Sequence, residues 1–176
     1  NECSALEQIT LSPSITSIGR RTFSGCRSLK EIDIPSNVTE IGSYAFNECS
    51  LLKQIVIPPS ATLIGSETFA GCASLVTISI PSSVVSIGEN AFERCFDLKG
   101  ISIPHITVIK NGVFAKCSSL TQLTIPSTVV SIGNEAFAGC SSLEQIEIPS
   151  SVVSIGCQAF EGCSQLREID IPPILK

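Results

Sequence analysis

A cysteine recurs every 23 residues along this chain, at Cys3, Cys26, Cys49, Cys72 and Cys95, and then, after one step of 22, at Cys117, Cys140 and Cys163. A phenylalanine keeps the same beat at Phe23, Phe46, Phe69, Phe92, Phe114, Phe137 and Phe160. A fixed period in the twenties means that one supersecondary unit is stacked many times, as in a solenoid. No single coil can enclose a core, so its apolar set must be buried between neighbouring coils. Leu75, Ile78, Ile80, Val84, Ile87 and Phe92 are one such set.

The coil from Cys72 to Phe92 shows how each part is expected to fold. Ile78 and Ile80 alternate with Thr77 and Ser79, the pattern of a strand with one buried face. Pro81 ends that strand, because proline has no N–H to give a neighbour. Pro35, Pro58, Pro104, Pro126, Pro149 and Pro172 repeat it; only the first coil departs, with Ser12 there and Pro13 one place later. A second short extended piece, Val84 to Ile87, precedes Gly88, whose equivalents are Gly19, Gly42, Gly65, Gly133 and Gly156. A glycine at a fixed place signals positive φ or close backbone approach. The Ala-Phe or Thr-Phe pair that follows reads as one helical turn, capped in some coils by Ser43, Ser66 or Asn134.

With 43% hydrophobic residues the chain has ample material for a core, and its net charge of −5 argues against nucleic acid as a partner. No apolar run reaches the roughly 18 residues that would span a bilayer, so direct membrane insertion is not expected. The whole chain, 1–176, reads as a single solenoid of about seven and a half repeats. Beginning at Asn1, lacking methionine and stopping at Lys176 as an eighth repeat opens, it is expected to be a piece of a longer protein. Missing targeting signals therefore carry no weight.

The run Cys-x-Ser-Leu-x-x-Ile-x-Ile-Pro-Ser-x-Val-x-x-Ile-Gly-x-x-Ala-Phe resembles the treponemal-type, or BspA-like, leucine-rich repeat. Residues 117–137 carry it in Cys117, Ser119, Leu120, Leu123, Ile125, Pro126, Val129, Ile132, Gly133, Ala136 and Phe137. The resemblance implies an α/β-type repeat solenoid, mainly β: a curved stack with a parallel concave sheet and short helical turns on the other side. It also implies a cell-surface or secreted protein that adheres to host matrix proteins or to other cells, and it supplies no catalytic residues. The fifth coil departs twice from the pattern. Lys110 stands where glycine belongs, and one residue is missing around His105.

Eight of the nine cysteines share one position and read as a buried ladder of small hydrophobes with weak S–H donors. Structural zinc sites need Cys-x₂₋₄-Cys pairs, which are absent. Side chains stacked in parallel point the same way, which disfavours disulfides between coils. Cys157, at a solvent-facing position, is a neutral substitution, a free thiol or an intermolecular link. Asn37-Val38-Thr39 forms a glycosylation sequon in a turn.

Enzyme chemistry is not expected. His105 is the only histidine, no residue set gathers around it for nucleophilic catalysis, and neither a metal nor a cofactor is called for. A solenoid instead offers an extended binding surface. The residues between the buried strand positions should face outward: Glu31 and Asp33, then Gln54, then Thr77 and Ser79, then Ser102. Gln122, Thr124, Gln145, Glu147, Glu168 and Asp170 continue the face, which is acidic towards both ends and hydroxyl-rich between. Phe96, Gly100 and His105 mark the irregular fifth coil as a second candidate. A protein partner is expected, with a glycan second because the face lacks an aromatic platform. The alternative is a structural spacer, or an element that stacks end to end through uncapped terminal coils.

Overall fold

The computed structural model describes residues 3–171. Each repeat is one rung of a parallel stack, numbered here from the rung that opens at Cys3, and three walls run the length of it. The first is a six-stranded sheet of β3 (Gln54–Val56), β5 (Thr77–Ser79), β7 (Gly100–Ser102), β9 (Gln122–Thr124), β11 (Gln145–Glu147) and β13 (Glu168–Asp170). Its strands lie in the order β13-β11-β9-β7-β5-β3. Every pairing is parallel, with Ile55, Ile78, Ile101, Leu123, Ile146 and Ile169 in one register. This is the sheet wall.

The second wall, the strand wall, consists of two-residue strands. β1 (Ser17–Ile18), β2 (Glu40–Ile41), β4 (Leu63–Ile64) and β6 (Ser86–Ile87) form one parallel sheet, and β8 (Val108–Ile109), β10 (Ser131–Ile132) and β12 (Ser154–Ile155) form another. The wall breaks between β6 and β8, where the fifth rung is a residue short. Ile106 N there bonds Pro104 O across a two-residue step, whereas Val84 N and Val129 N reach back three residues to Pro81 O and Pro126 O. Lys110 adds a Cβ at a position where the rungs nearly touch. At Gly65, Gly88, Gly133 and Gly156 a Cβ would lie 2.2–2.6 Å from a backbone nitrogen of the preceding rung. None of these glycines has positive φ, so close approach, not conformational freedom, explains that column.

The third wall, the turn wall, corrects the expectation of helical turns: no helix occurs among the described residues. Alternate residues of this segment donate their N–H groups to the next rung instead of back along the chain. Asn90, Phe92 and Arg94 bond Asn111 O, Val113 O and Ala115 O at 2.8–3.0 Å, while Glu93 N and Cys95 N make local three-residue turns. That alternation requires left-handed residues, supplied by Arg21, Tyr44, Glu67, Asn90, Glu135 and Gln158 with φ of 53–60°. Two of the three expected caps act between rungs as well. Ser43 Oγ accepts from Ser66 N, and Asn134 Oδ1 from Cys157 N.

The core lies between the walls. The seven phenylalanine rings stack in one column with centroids 5.3–5.7 Å apart. Six of the eight ladder cysteines, Cys26 to Cys140, are buried as expected, whereas Cys3 is exposed and Cys163 partly buried. Cys49, Cys72, Cys95, Cys117, Cys140 and Cys163 donate to the phenylalanine carbonyl of the rung before, at 3.1–3.2 Å. Burial pushes the thiols of Cys49 and Cys140 up to about 12, and those of Cys72, Cys95 and Cys117 well above their ordinary value. They pack as inert hydrophobes.

Candidate binding face

Strand alternation decides which side chains the sheet wall presents. Each three-residue strand turns its central residue into the core and its two flanking residues outward. Register then aligns the outward residues of successive rungs into two columns. One runs Gln54, Thr77, Gly100, Gln122, Gln145, Glu168, and the other Val56, Ser79, Ser102, Thr124, Glu147, Asp170. Ten of the twelve residues expected on this face thus stand in the ladder. Glu31 and Asp33 are also exposed but precede the first strand of this sheet, on an extended segment tied to it by Lys53 N to Lys30 O at 3.3 Å.

The charges are unevenly placed. Towards the C-terminal end Glu147 pairs with Asp170 and Gln145 with Glu168. Towards the other end, Lys30 Nζ bonds Glu7 Oε2 at 2.8 Å and holds that carboxyl below its usual range. Gln8 reaches Glu31 at 3.3 Å. Between the ends, β5, β7 and β9 show only hydroxyls, amides and the bare backbone of Gly100. Four surface depressions, of about 200 to about 420 Å³, open on this wall, and a fifth, of about 220 Å³, opens on the extended segments of the first two rungs that precede it. The one at the fifth and sixth rungs, about 380 Å³, is lined by Gly100, Ser102, Gln122, Thr124 and the apolar residues around them.

The irregular rung does not form one site. Gly100 belongs to the sheet wall. Phe96 is 42% exposed before that strand begins, and His105 is exposed beyond its far end, after Pro104. Cys157 is an exposed free thiol, and Asn37 is exposed with its amide donating to Pro13 O at 3.0 Å. Pro172 lies outside the described residues. Among the described residues no group of three or more His, Cys, Asp or Glu side chains could hold a metal ion, and no helix is long and apolar enough to cross a membrane.

Sequence reading missed one cluster. Arg20 and Arg21 place their guanidinium carbons 5.5 and 4.9 Å from the centroid of Tyr44, whose hydroxyl donates to Glu67 at 2.8 Å. Arg21, Tyr44 and Glu67 occupy one column of the turn wall, a neighbourhood visible only once the 23-residue period is applied to these variable positions. The cation–π contact is a local clasp between the first rungs.

The model of the BspA type leucine rich repeat region matches residues 1–119 and 85–176, in six copies. A crystal structure of a leucine-rich repeat protein from Bacteroides ovatus superposes with a TM-score of 0.91 at 38% identity, covering 96% of this chain and 46% of that one. The leucine rich repeat protein of T. pallidum gives 0.75 at 34% identity, covering 80% and 66%. A leucine rich cell surface protein from Faecalibacterium prausnitzii gives 0.68 at 31%, covering 96% and 60%. The chain therefore spans between about half and two thirds of the length of these proteins. No curated protein matches it.

Proposed function

The chain belongs to the BspA-type leucine-rich-repeat family, and on that premise we propose that it is a non-enzymatic recognition module of a cell-surface or secreted protein. It binds a protein partner through the outward face of the sheet wall. The observation that carries this reading is that four of the five depressions described above open on that one wall and the fifth on the segments that lead into it. Six strands held in strict register make a rigid platform, and rigid platforms lose little entropy on binding. Matrix or cell-surface proteins are the partner class in keeping with a family whose relatives include a named cell surface protein.

The experiment is a binding survey of the purified chain against immobilised extracellular-matrix proteins. Saturable binding should weaken when Gln122→Arg or Glu147→Arg changes the face, and persist when Gln158→Arg changes the turn wall. Equal losses from both classes of substitution would refute the assignment to the sheet wall.

A second reading, a structural element that self-associates end to end, draws on the apolar side chains of the outer described rungs. Leu6, Ile9, Leu166 and Ile169 pack against the core but are only partly buried. Self-assembly that persists after polar capping rungs are fused to both ends would favour it over recognition.

A further inference from the structure

Four of the turns that follow the sheet-wall prolines carry a small hydroxyl at one place, and the stack tucks it in. Ser60, Ser83, Thr128 and Ser151 are partly buried, and their hydroxyls donate to Val38 O, Ala61 O, Ile106 O and Val129 O of the preceding rung at 2.6–2.8 Å. Asn37 holds that place in the second rung, in a turn closed by Val38 N on Pro35 O at 3.0 Å, yet it is exposed. Its amide reaches a different acceptor, Pro13 O at 3.0 Å, which lies 24 residues back rather than 22.

The chemistry around it fits an attachment point. Thr39 completes the sequon Asn37-Val38-Thr39 and is itself exposed, while Val38 between them is buried. The Thr39 hydroxyl donates to Thr16 O at 3.3 Å. A carboxamide nitrogen carries two hydrogens, and Pro13 O engages one of them. Substituting the other leaves a secondary amide that can keep this bond between the first two rungs. The turn lies at the corner between the extended segment that leads into the sheet wall and β2 of the strand wall, so bulk attached to the exposed amide starts outside the outward columns of the sheet wall.

We propose that Asn37 is an N-glycan acceptor, with an oligosaccharide carried on a polyprenyl pyrophosphate as the donor. Asn37 Nδ2 forms a bond to C1 of the first sugar. The bond from C1 to the pyrophosphate oxygen breaks, its electron pair leaves on the lipid pyrophosphate, and the displaced amide proton passes to a base of the transferase. The proposal does not depend on which wall binds a partner. It needs only export through a compartment that holds this donor.

The test follows tryptic peptide 31–53, bounded by Lys30 and Lys53, in two samples. One is the full chain secreted from a eukaryotic cell line behind a cleavable leader, and the other is the protein taken from the cells that naturally make it. An amidase that releases N-glycans in heavy-oxygen water converts each glycosylated asparagine to labelled aspartate, and fragment ions separate Asn37 from Asn47. Label at Asn37 is expected in both samples and in a secreted Thr39→Ser variant. It is expected to vanish in Thr39→Val, where the acceptor itself is unchanged. An Asn37 wholly unmodified in either sample, or label that survives Thr39→Val, would overturn the proposal. A second measurement checks the geometry: the glycosylated chain and the same chain made in bacterial cytoplasm should share one urea midpoint. A lower midpoint for the glycosylated chain would refute the claim that the sugar leaves the bond to Pro13 intact.

Discussion

The same methyl group added at two glycines, twelve residues apart, should act with opposite sign. In Gly88→Ala the new Cβ would sit 2.2 Å from Ser66 N and 2.3 Å from Gly65 C. Ordinary contact begins near 3.4 Å, so the rungs must part locally by 3.4 − 2.2, about 1.2 Å. Such a shift stretches the 2.8 Å bond from Gly88 N to Ile64 O beyond hydrogen-bond range. Losing one or two ladder bonds at about 0.5–1.5 kcal/mol each, with overpacking strain added, gives a destabilisation of about 2–4 kcal/mol. Gly100→Ala meets no atom, and removing glycine from a strand should stabilise by about 0.5–1 kcal/mol. With a urea slope near 2 kcal/mol/M, the first midpoint falls by about 1–2 M and the second rises by about 0.25–0.5 M. Urea unfolding followed by circular dichroism measures both. Shifts of the same sign, or a Gly88→Ala midpoint within about 0.25 M of the parent, would refute the claim that rung contact alone demands the glycine column.

Replacing Phe92 by alanine, in the middle of the stack, should cost about 3–5 kcal/mol, whereas Phe160→Ala, at a half-buried ring, should cost about half as much; differential unfolding of the two variants checks the ratio. The thiol ladder predicts an alkaline limit. A buried thiol binds its proton more tightly folded than unfolded, so its contribution is complete below the unfolded value of 9.0 and is lost as pH rises towards about 12 for Cys49 and Cys140. Thermal midpoints should therefore fall steadily above pH 9. A Cys49→Ala, Cys140→Ala double variant should show a shallower decline.

The period alone was enough to infer parallel stacking, the proline level and the exposed face, because each is a property of identical units packed together. The turn wall was misread because an Ala-Phe pair after polar residues has the local spacing of a helical turn. What prevents the helix is the row of carbonyls on the next rung, and no local propensity reports that. The left-handed positions gave no warning either, since Arg21, Glu67 and Glu135 are not residues that favour positive φ. The fifth rung was flagged by Lys110 and the missing residue, yet that these split the strand wall, while the sheet and turn walls run through unbroken, emerges only from the three-dimensional ladder. Glu31 and Asp33 were correctly placed in solvent but lie short of the first paired strand of the sheet wall.

The turn wall has a direction. At each of the six rung junctions its N–H groups point towards the following repeat and its carbonyls receive from the preceding one, as from Arg21 to Ser43 and from Phe137 to Ala159. Peptide dipoles therefore add along this side, as they do along a helix axis. Two copies could extend one another nose to tail, donor meeting acceptor. Meeting face to face they would set donor against donor, so any polymer built through this wall is polar and open-ended, never a closed symmetric pair.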